Sequence, residues 1–198
     1  MRLAIAVLCA ILIGGGWAAQ KQAEVVMPVP VPVVPIEGDR IDYQNGRNPA
    51  LVLPDGQVRV VPSISNTRRQ LAFGDYVWND EGVAEGPEWA RVDLKRQTLS
   101  VFRAGHEIGT TVILFGANSN PTPSGVFPVL AKAQKHRSSL YDAEMPFMMR
   151  LTNDGVAIHA SAVQEGSATH GCIGVPLEFA RLLFGQMQVG DEVAIFAA

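Results

Sequence analysis

Cysteine is nearly absent from this chain of 198 residues, which contains only Cys9 and Cys172. Cys9 lies inside an N-terminal apolar run that is typical of a targeting segment. If that segment directs export, Cys172 is left with no intramolecular disulfide partner. A lone thiol in an exported protein is either reactive or paired between chains.

A strong positive charge is also missing. The chain has 16 Lys and Arg against 19 Asp and Glu, with a net charge of −3. The basic residues are scattered, and no run of them is long enough to follow a phosphate backbone. The composition therefore predicts no nucleic-acid partner.

The N-terminus has the pattern of a secretory signal. Met1-Arg2-Leu3 is followed by the apolar run Ala4–Ile13 and then by small residues. The run is shorter than the ~20 apolar residues of a full membrane span. We predict a signal peptide or retained N-terminal anchor over residues 1–19, and export to the periplasm or cell envelope. A buried cytosolic helix is the alternative, and cleavage of the segment stays open.

Residues 20–87 have the composition of a linker and a loosely packed preamble. The stretch Met27–Pro35 reads MPVPVPVVP, and its prolines exclude helix and central strand. An extended spacer is the simplest interpretation, and a ligand for a proline-binding module is the alternative.

Residues 88–197 are predicted to form a mainly β domain. Ala90–Leu94 and Thr98–Phe102 suggest a hairpin, and Asn153-Asp154-Gly155 is a second turn between β-like runs. One helix is expected from about Pro176 to Met187, because apolar residues recur there on one helical face.

The candidate chemistry centres on Cys172 in the string Thr169-His170-Gly171-Cys172, with His159 upstream. A thiol is mostly protonated at neutral pH and needs a neighbouring base or cation to act as a nucleophile. The N–H groups of Gly171 and Cys172 are candidates for stabilising an oxyanion. An inert buried thiol and a zinc site formed with both histidines are the alternatives, although a fourth zinc ligand is not obvious. A papain-like peptidase fits less well, because there the nucleophile precedes the base along the chain.

Several collinear motifs resemble the L,D-transpeptidase catalytic domain, the YkuD-like family. They span roughly the last 110 residues and comprise the opening hairpin, the segment TPSGVF at residues 122–127, HRSSLY at 136–141, MPFM at 145–148, HAS at 159–161 and HGCI at 170–173. The resemblance implies a β-sandwich-like fold and cysteine acyl transfer on peptidoglycan stem peptides, without a metal or organic cofactor.

The resemblance also implies roles for individual residues. Cys172 is the nucleophile that forms a thioester, and His159 is the general base, oriented by the backbone carbonyl of Ala160. His170 and Gly171 line the oxyanion region. The candidate substrate-binding residues are Thr169, Ala160, Tyr141 and His136. Alternatively, Tyr141 belongs to the core, His136 makes no substrate contact and His170 only shapes the loop by hydrogen bonding.

One position departs from the family pattern. The residue two positions after the cysteine is commonly Arg, and here it is Gly174. Arg137, Arg150 and Arg181 are candidates for the missing guanidinium. Gly174 keeps open a second function, in which water releases the acyl group, giving an amidase or L,D-carboxypeptidase. A non-catalytic cell-wall binding module is the third hypothesis, and the sequence makes no prediction of the oligomeric state.

Overall fold

The computed structural model describes residues 40–43, 47–138 and 142–197, and these ranges contain fourteen strands and one helix. The strands are β1 (Arg40–Asp42), β2 (Ala50–Val52), β3 (Val58–Val60), β4 (Ser63–Ser65), β5 (Tyr76–Trp78), β6 (Glu88–Asp93), β7 (Thr98–Arg103), β8 (His106–Val112), β9 (Gly125–Pro128), β10 (Ala131–Ala133), β11 (Met148–Arg150), β12 (Ala157–Ala160), β13 (Ile173–Val175) and β14 (Glu192–Phe196). The helix is α1 (Leu177–Gln186).

The larger sheet has six strands in the order β5-β8-β7-β6-β14-β9. The predicted hairpin is confirmed: β6 and β7 are antiparallel, with Asp93 opposite Thr98. The C-terminal strand β14 lies parallel to β6 and antiparallel to β9. Strands β6 and β14, which are far apart in the chain, are therefore neighbours in one sheet, an arrangement that local sequence pattern does not specify.

The smaller sheet has four short strands in the order β10-β11-β12-β13. The turn predicted at residues 153–155 connects the antiparallel strands β11 and β12. Strand β13 then pairs with β12 in parallel, with His159 opposite Gly174. Cys172 directly precedes β13 and so lies at the edge of this sheet.

The main hydrophobic core lies between the two sheets and beneath the helix. Val92 and Leu99 of the larger sheet, Ile158 and Ile173 of the smaller one and Phe179 of α1 are all fully buried in this single cluster. Side chains alternate along a strand, so burying Ile158 turns its neighbour His159 to the opposite face. The predicted fold class, mainly β and sandwich-like with one C-terminal helix, is confirmed.

The helix occupies the predicted segment, with Pro176 at its N-cap. Phe179, Ala180 and Leu183 are its buried residues. The last helical turn has no basic residue of its own. Lys132 of β10 supplies one: its Nζ donates to the carbonyls of Phe184, at 2.7 Å, and Met187. A cation there complements the helix dipole.

Part of the segment expected to be a loosely packed preamble is ordered against the sandwich. Strand β5 forms one edge of the larger sheet, and Val77 is fully buried. Arg40 donates from its guanidinium to the carbonyls of Glu107 and Asn79, both at 2.6 Å. The packed unit thus begins well before residue 88, because β8 needs a partner on its outer edge.

The predictions for residues 1–39 fall outside the described residues, as does Tyr141. Among the residues that are described, no helix is long and apolar enough to cross a membrane.

Candidate active site

A cavity of about 680 Å³ opens on the face of the smaller sheet that points away from the core. Strands β11 and β12, the turn between them and the loop before β13 contribute most of its wall. Both His159 and Cys172 line it. Four of the predicted site residues close to Cys172 line the cavity: His159, Thr169, His170 and Gly171.

His159 is held in one tautomer by its own backbone neighbour. Its Nδ1 lies 2.8 Å from the carbonyl oxygen of Ala160, the partner implied by the family resemblance. A carbonyl oxygen only accepts, so Nδ1 must carry the proton and donate. Nε2 is therefore the unprotonated nitrogen, with a lone pair available to accept a proton.

The parallel pairing of β12 with β13 brings the histidine and the cysteine to the same face. His159 is opposite Gly174, and Cys172 lies two residues before Gly174. With a strand spacing of about 4.8 Å and a rise of about 3.3 Å per residue, the two Cα atoms are roughly 8 Å apart. Their side chains therefore lie on the same face of the smaller sheet, and both line the cavity.

Burial keeps both groups neutral at rest. It lowers the pKa of His159 below the ordinary 6.5, against a smaller opposing effect of the Ala160 hydrogen bond, and nearby His136 lowers it further. Burial raises the pKa of the Cys172 thiol above the ordinary 9.0, although the backbone N–H of Ala157 opposes this. Met145, Met148 and Ala157 form the apolar cluster against which the thiol packs. Near neutral pH both shifts therefore favour the uncharged forms, the thiol and the imidazole.

The loop before Cys172 is held by hydrogen bonds from the segment that connects β8 and β9 of the larger sheet. Gly171 has φ +106°, a conformation that favours glycine. The buried hydroxyl of Thr122 donates to the Gly171 carbonyl at 2.9 Å and accepts from the Gly116 N–H at 2.9 Å. In a trans peptide the Cys172 N–H points away from that carbonyl. Within the described ranges, neither the Gly171 nor the Cys172 N–H donates to a protein acceptor, so both remain available for an oxyanion.

Other predicted site residues take different positions. The Thr169 hydroxyl donates to the Cys172 carbonyl at 2.5 Å, which stabilises the loop. His170 and His136 are exposed and line the cavity. Their assignment to oxyanion or substrate binding stays a prediction.

Gly174 lies beneath Ser161 and Leu114. A Cβ built on Gly174 would be 2.9 Å from Ser161 Cβ and 3.4 Å from Leu114 Cβ. Gly174 also exchanges two 2.9 Å backbone hydrogen bonds with Leu114, which follows β8 of the larger sheet. The space for a side chain at position 174 is therefore filled, which is why glycine stands there.

Sequence reasoning did not single out Thr122 or Ser161. Thr122 is the first residue of TPSGVF and Ser161 is the last residue of HAS, so both belong to motifs that resemble those of the family. What the motifs could not give is their long-range contacts, which connect residues 49 and 13 positions apart. As for metals, no group of three or more His, Cys, Asp or Glu in the described part of the chain is arranged to hold an ion.

A cysteine and a tautomer-fixed histidine in one cleft, on the smaller sheet of a β-sandwich, define the class of site. The chain belongs to the L,D-transpeptidase catalytic domain family, whose family model matches residues 87–195. The resemblance inferred from the motifs is thereby confirmed. No curated protein sequence matches the chain.

Solved structures share this fold. An L,D-transpeptidase from Stackebrandtia nassauensis is similar at 26% identity and a TM-score of 0.53, covering 58% of this chain and 57% of its own. An Enterococcus faecium L,D-transpeptidase is similar at 28% identity and a TM-score of 0.50, with 57% of this chain and 50% of its own covered. A Mycobacterium tuberculosis L,D-transpeptidase at 24% identity and a TM-score of 0.51 supports the fold. The chain thus spans between half and three fifths of the length of these structures.

Proposed function

We propose that this protein is a peptidoglycan L,D-transpeptidase that acts on stem peptides through a thioester on Cys172. The observation that carries the proposal is the hydrogen bond from His159 Nδ1 to the Ala160 carbonyl, at 2.8 Å, beside the cavity that Cys172 also lines. It leaves Nε2 as a base on the same face as the thiol. Membership of the family supports the choice of substrate class.

The first half-reaction is acylation. His159 Nε2 takes the thiol proton as Cys172 Sγ attacks a stem-peptide carbonyl, so a C–S bond forms and the carbonyl oxygen becomes an oxyanion. The N–H groups of Gly171 and Cys172 donate to that oxyanion. The C–N bond then breaks, and the His159 imidazolium returns its proton to the leaving amine.

The second half-reaction reverses these roles. The amine of an acceptor stem attacks the thioester while His159 accepts its proton. Sulfur leaves as the C–S bond breaks, and the thiol is regenerated with that proton. Because the imidazole is neutral at rest, it is ready to accept a proton in both half-reactions.

Intact-protein mass spectrometry with a carbapenem tests the acyl-enzyme. The strained β-lactam carbonyl provides an acyl donor, and we expect one covalent adduct that peptide mapping places at Cys172. Cys172→Ala should give no adduct there. A wild-type protein that stays unmodified under these conditions would contradict the thioester mechanism and favour the non-catalytic binding module.

Hydrolysis is the second candidate function, and Gly174 is the observation that favours it. Ser161 and Leu114 occupy the space in which a relative's arginine would begin, so this site lacks that guanidinium as a means of holding the acceptor. Incubation with a disaccharide-tetrapeptide separates the two functions. Cross-linked dimers indicate transpeptidation, whereas shortened monomers indicate an amidase or carboxypeptidase.

We also propose export to the periplasm or cell envelope through residues 1–19, on the strength of their charged, apolar and small-residue order. Fusing these residues to alkaline phosphatase, which is active only after export, tests this. A fusion that stays inactive while a known signal peptide directs activity would contradict the proposal.

A further inference from the structure

The cavity beside Cys172 has one permanently charged cation in its wall. Of its described lining residues, only Arg150 is a lysine or arginine, and Asp154 is the only carboxylate. Arg150 ends β11 and is exposed. Its guanidinium makes no hydrogen bond or ion pair with any residue in the described ranges, so all its donors are available for a ligand.

The two other arginines that could replace the guanidinium missing at position 174 are already paired. Arg137 is bound to Asp142 at 2.6 Å and to Glu144 at 2.5 Å. Arg181 lies on α1, bound to Glu178 at 2.8 Å. Neither lines the cavity. Arg150 alone of the three combines a place in the cavity with an unpaired guanidinium.

Strand register places Arg150 on the catalytic face. Along β11, Met149 points into the core, whereas Met148 and Arg150 line the cavity. Arg150 is opposite Ala157, and the Ala157 N–H faces the sulfur of Cys172. Arg150 and Cys172 are therefore about two strand spacings apart, roughly 10 Å between Cα atoms. The long arginine side chain spans much of that distance.

We propose that Arg150 binds a carboxylate of the stem peptide in the donor site, an assignment that rests on the proposed function. A carboxylate is the favoured ligand of this unpaired side chain, because a guanidinium binds a carboxylate through two parallel hydrogen bonds. Two carboxylates are within a few bonds of the scissile carbonyl: one on a side chain of the donor and one at the C-terminus of the leaving residue. Arg150 is a specificity-determining residue of the donor site.

Steady-state kinetics with three forms of a stem tetrapeptide test the proposal: unmodified, side-chain carboxylate amidated, and C-terminal carboxylate amidated. For the unmodified peptide, Arg150→Met should raise KM roughly tenfold to hundredfold and leave kcat within about twofold. This penalty should vanish for the one form that lacks the bound carboxylate, which identifies its source. Arg150→Lys should recover part of the affinity, since it keeps the charge without the paired donors.

Arg181→Met is the matched control, because it removes an exposed guanidinium outside the cavity, and its KM should equal that of the wild type. Equal KM values for wild type and Arg150→Met with the unmodified peptide would overturn the assignment. So would a penalty of the same size for all three peptide forms.

If the wild type turns over none of the peptides, the proposed function is refuted, whereas carboxylate binding by Arg150 is not. Labelling the thiol with a pair of reagents then tests the binding by Arg150. Iodoacetate and iodoacetamide alkylate the same sulfur and differ in carrying a carboxylate or a neutral amide. Peptide mapping distinguishes Cys172 from Cys9. At low salt, Arg150→Met should lower the iodoacetate-to-iodoacetamide rate ratio at Cys172 roughly threefold. An unchanged ratio would contradict carboxylate binding by Arg150.

Discussion

The two sheets of the sandwich differ in what they bury. In the larger sheet, β6, β7 and β8 have six or seven residues each, and most of their side chains are buried. The smaller sheet has strands of three or four residues, and β12 buries Ile158 while exposing His159 to the cavity. The larger sheet thus forms most of the core, and the smaller one presents His159 and Cys172 on a face that stays open.

The connection between the sheets explains how an open face is kept in position. The chain leaving β8 pairs through Leu114 with Gly174, and Phe115 accepts a hydrogen bond from the Thr169 N–H at 2.9 Å. Thr122 adds the bond to the Gly171 carbonyl. Short strands provide few ladder bonds of their own, so the loop that contains Cys172 depends on these contacts for its conformation.

The largest expected effect comes from comparing substitutions on the two faces of β12, one of which lines the cavity while the other is buried in the core. His159→Ala should lower the rate of acylation by about 10²–10⁴-fold because the base is lost, with little change in melting temperature. Ile158→Ala should destabilise the fold by about 2–5 kcal/mol because it leaves a cavity in the core. Carbapenem acylation rates and thermal unfolding measure both variants. A large loss of stability in His159→Ala would contradict the division between the faces.

A smaller effect should follow from releasing the loop. Thr122→Val removes the hydroxyl that holds the Gly171 carbonyl and leaves the Gly116 N–H without its acceptor, so we expect a cost of about 1–3 kcal/mol. Acylation should slow by about tenfold or more through misplacement of the Cys172 N–H. Thr111→Val is the control: it removes a buried hydroxyl, bonded to the Asp75 carbonyl at 2.8 Å, from the larger sheet. Equal acylation rates in the two variants would mean that Thr122 does not position the site.

Substitutions that alter the packing around Gly174 should change the free energy of unfolding alone. Gly174→Ala places a Cβ 2.9 Å from that of Ser161, and we expect a loss of about 1–3 kcal/mol from overpacking. Ser161→Gly in the same chain should recover most of it, as urea unfolding of the double-mutant cycle can measure. Gly185→Ala on the helix meets nothing within 4 Å and should stabilise by about 0.5–1 kcal/mol. An additive cycle would show that Ser161 is not the obstacle.

The smallest effect concerns the pH dependence of the resting pair. The pKa of His159 is lowered by burial, so its base form persists as pH falls, and the acidic limb of the acylation rate should lie below pH 6.5. The pKa of Cys172 is raised, so alkylation by iodoacetamide should increase with a midpoint above pH 9. Rapid alkylation at pH 6 would instead indicate a thiolate–imidazolium pair and overturn the neutral pair.

The local sequence pattern predicted those elements of secondary structure that form between residues close together in the chain. The hairpin of β6 and β7, the turn at residues 153–155 and the helix after Pro176 each arise from residues close in the chain. The family motifs also predicted that the Ala160 carbonyl would hold His159. The β-forming residues Tyr76–Trp78 indicate a short strand in the sequence, but the pairing of β5 with β8 was not predicted, because it joins residues that are far apart in the chain.

The amino-acid sequence by itself determined which groups are available for chemistry: one cysteine within residues 88–197, two histidines upstream of it at positions 159 and 170, and a glycine two positions after it. Tertiary structure alone decided which of them meet. Parallel pairing of β12 with β13 brings His159 to the face of Cys172, and antiparallel pairing of β11 brings Arg150 there. Strand order and direction are set by burial of the shared core, and a side chain's function depends on the face to which that burial turns it.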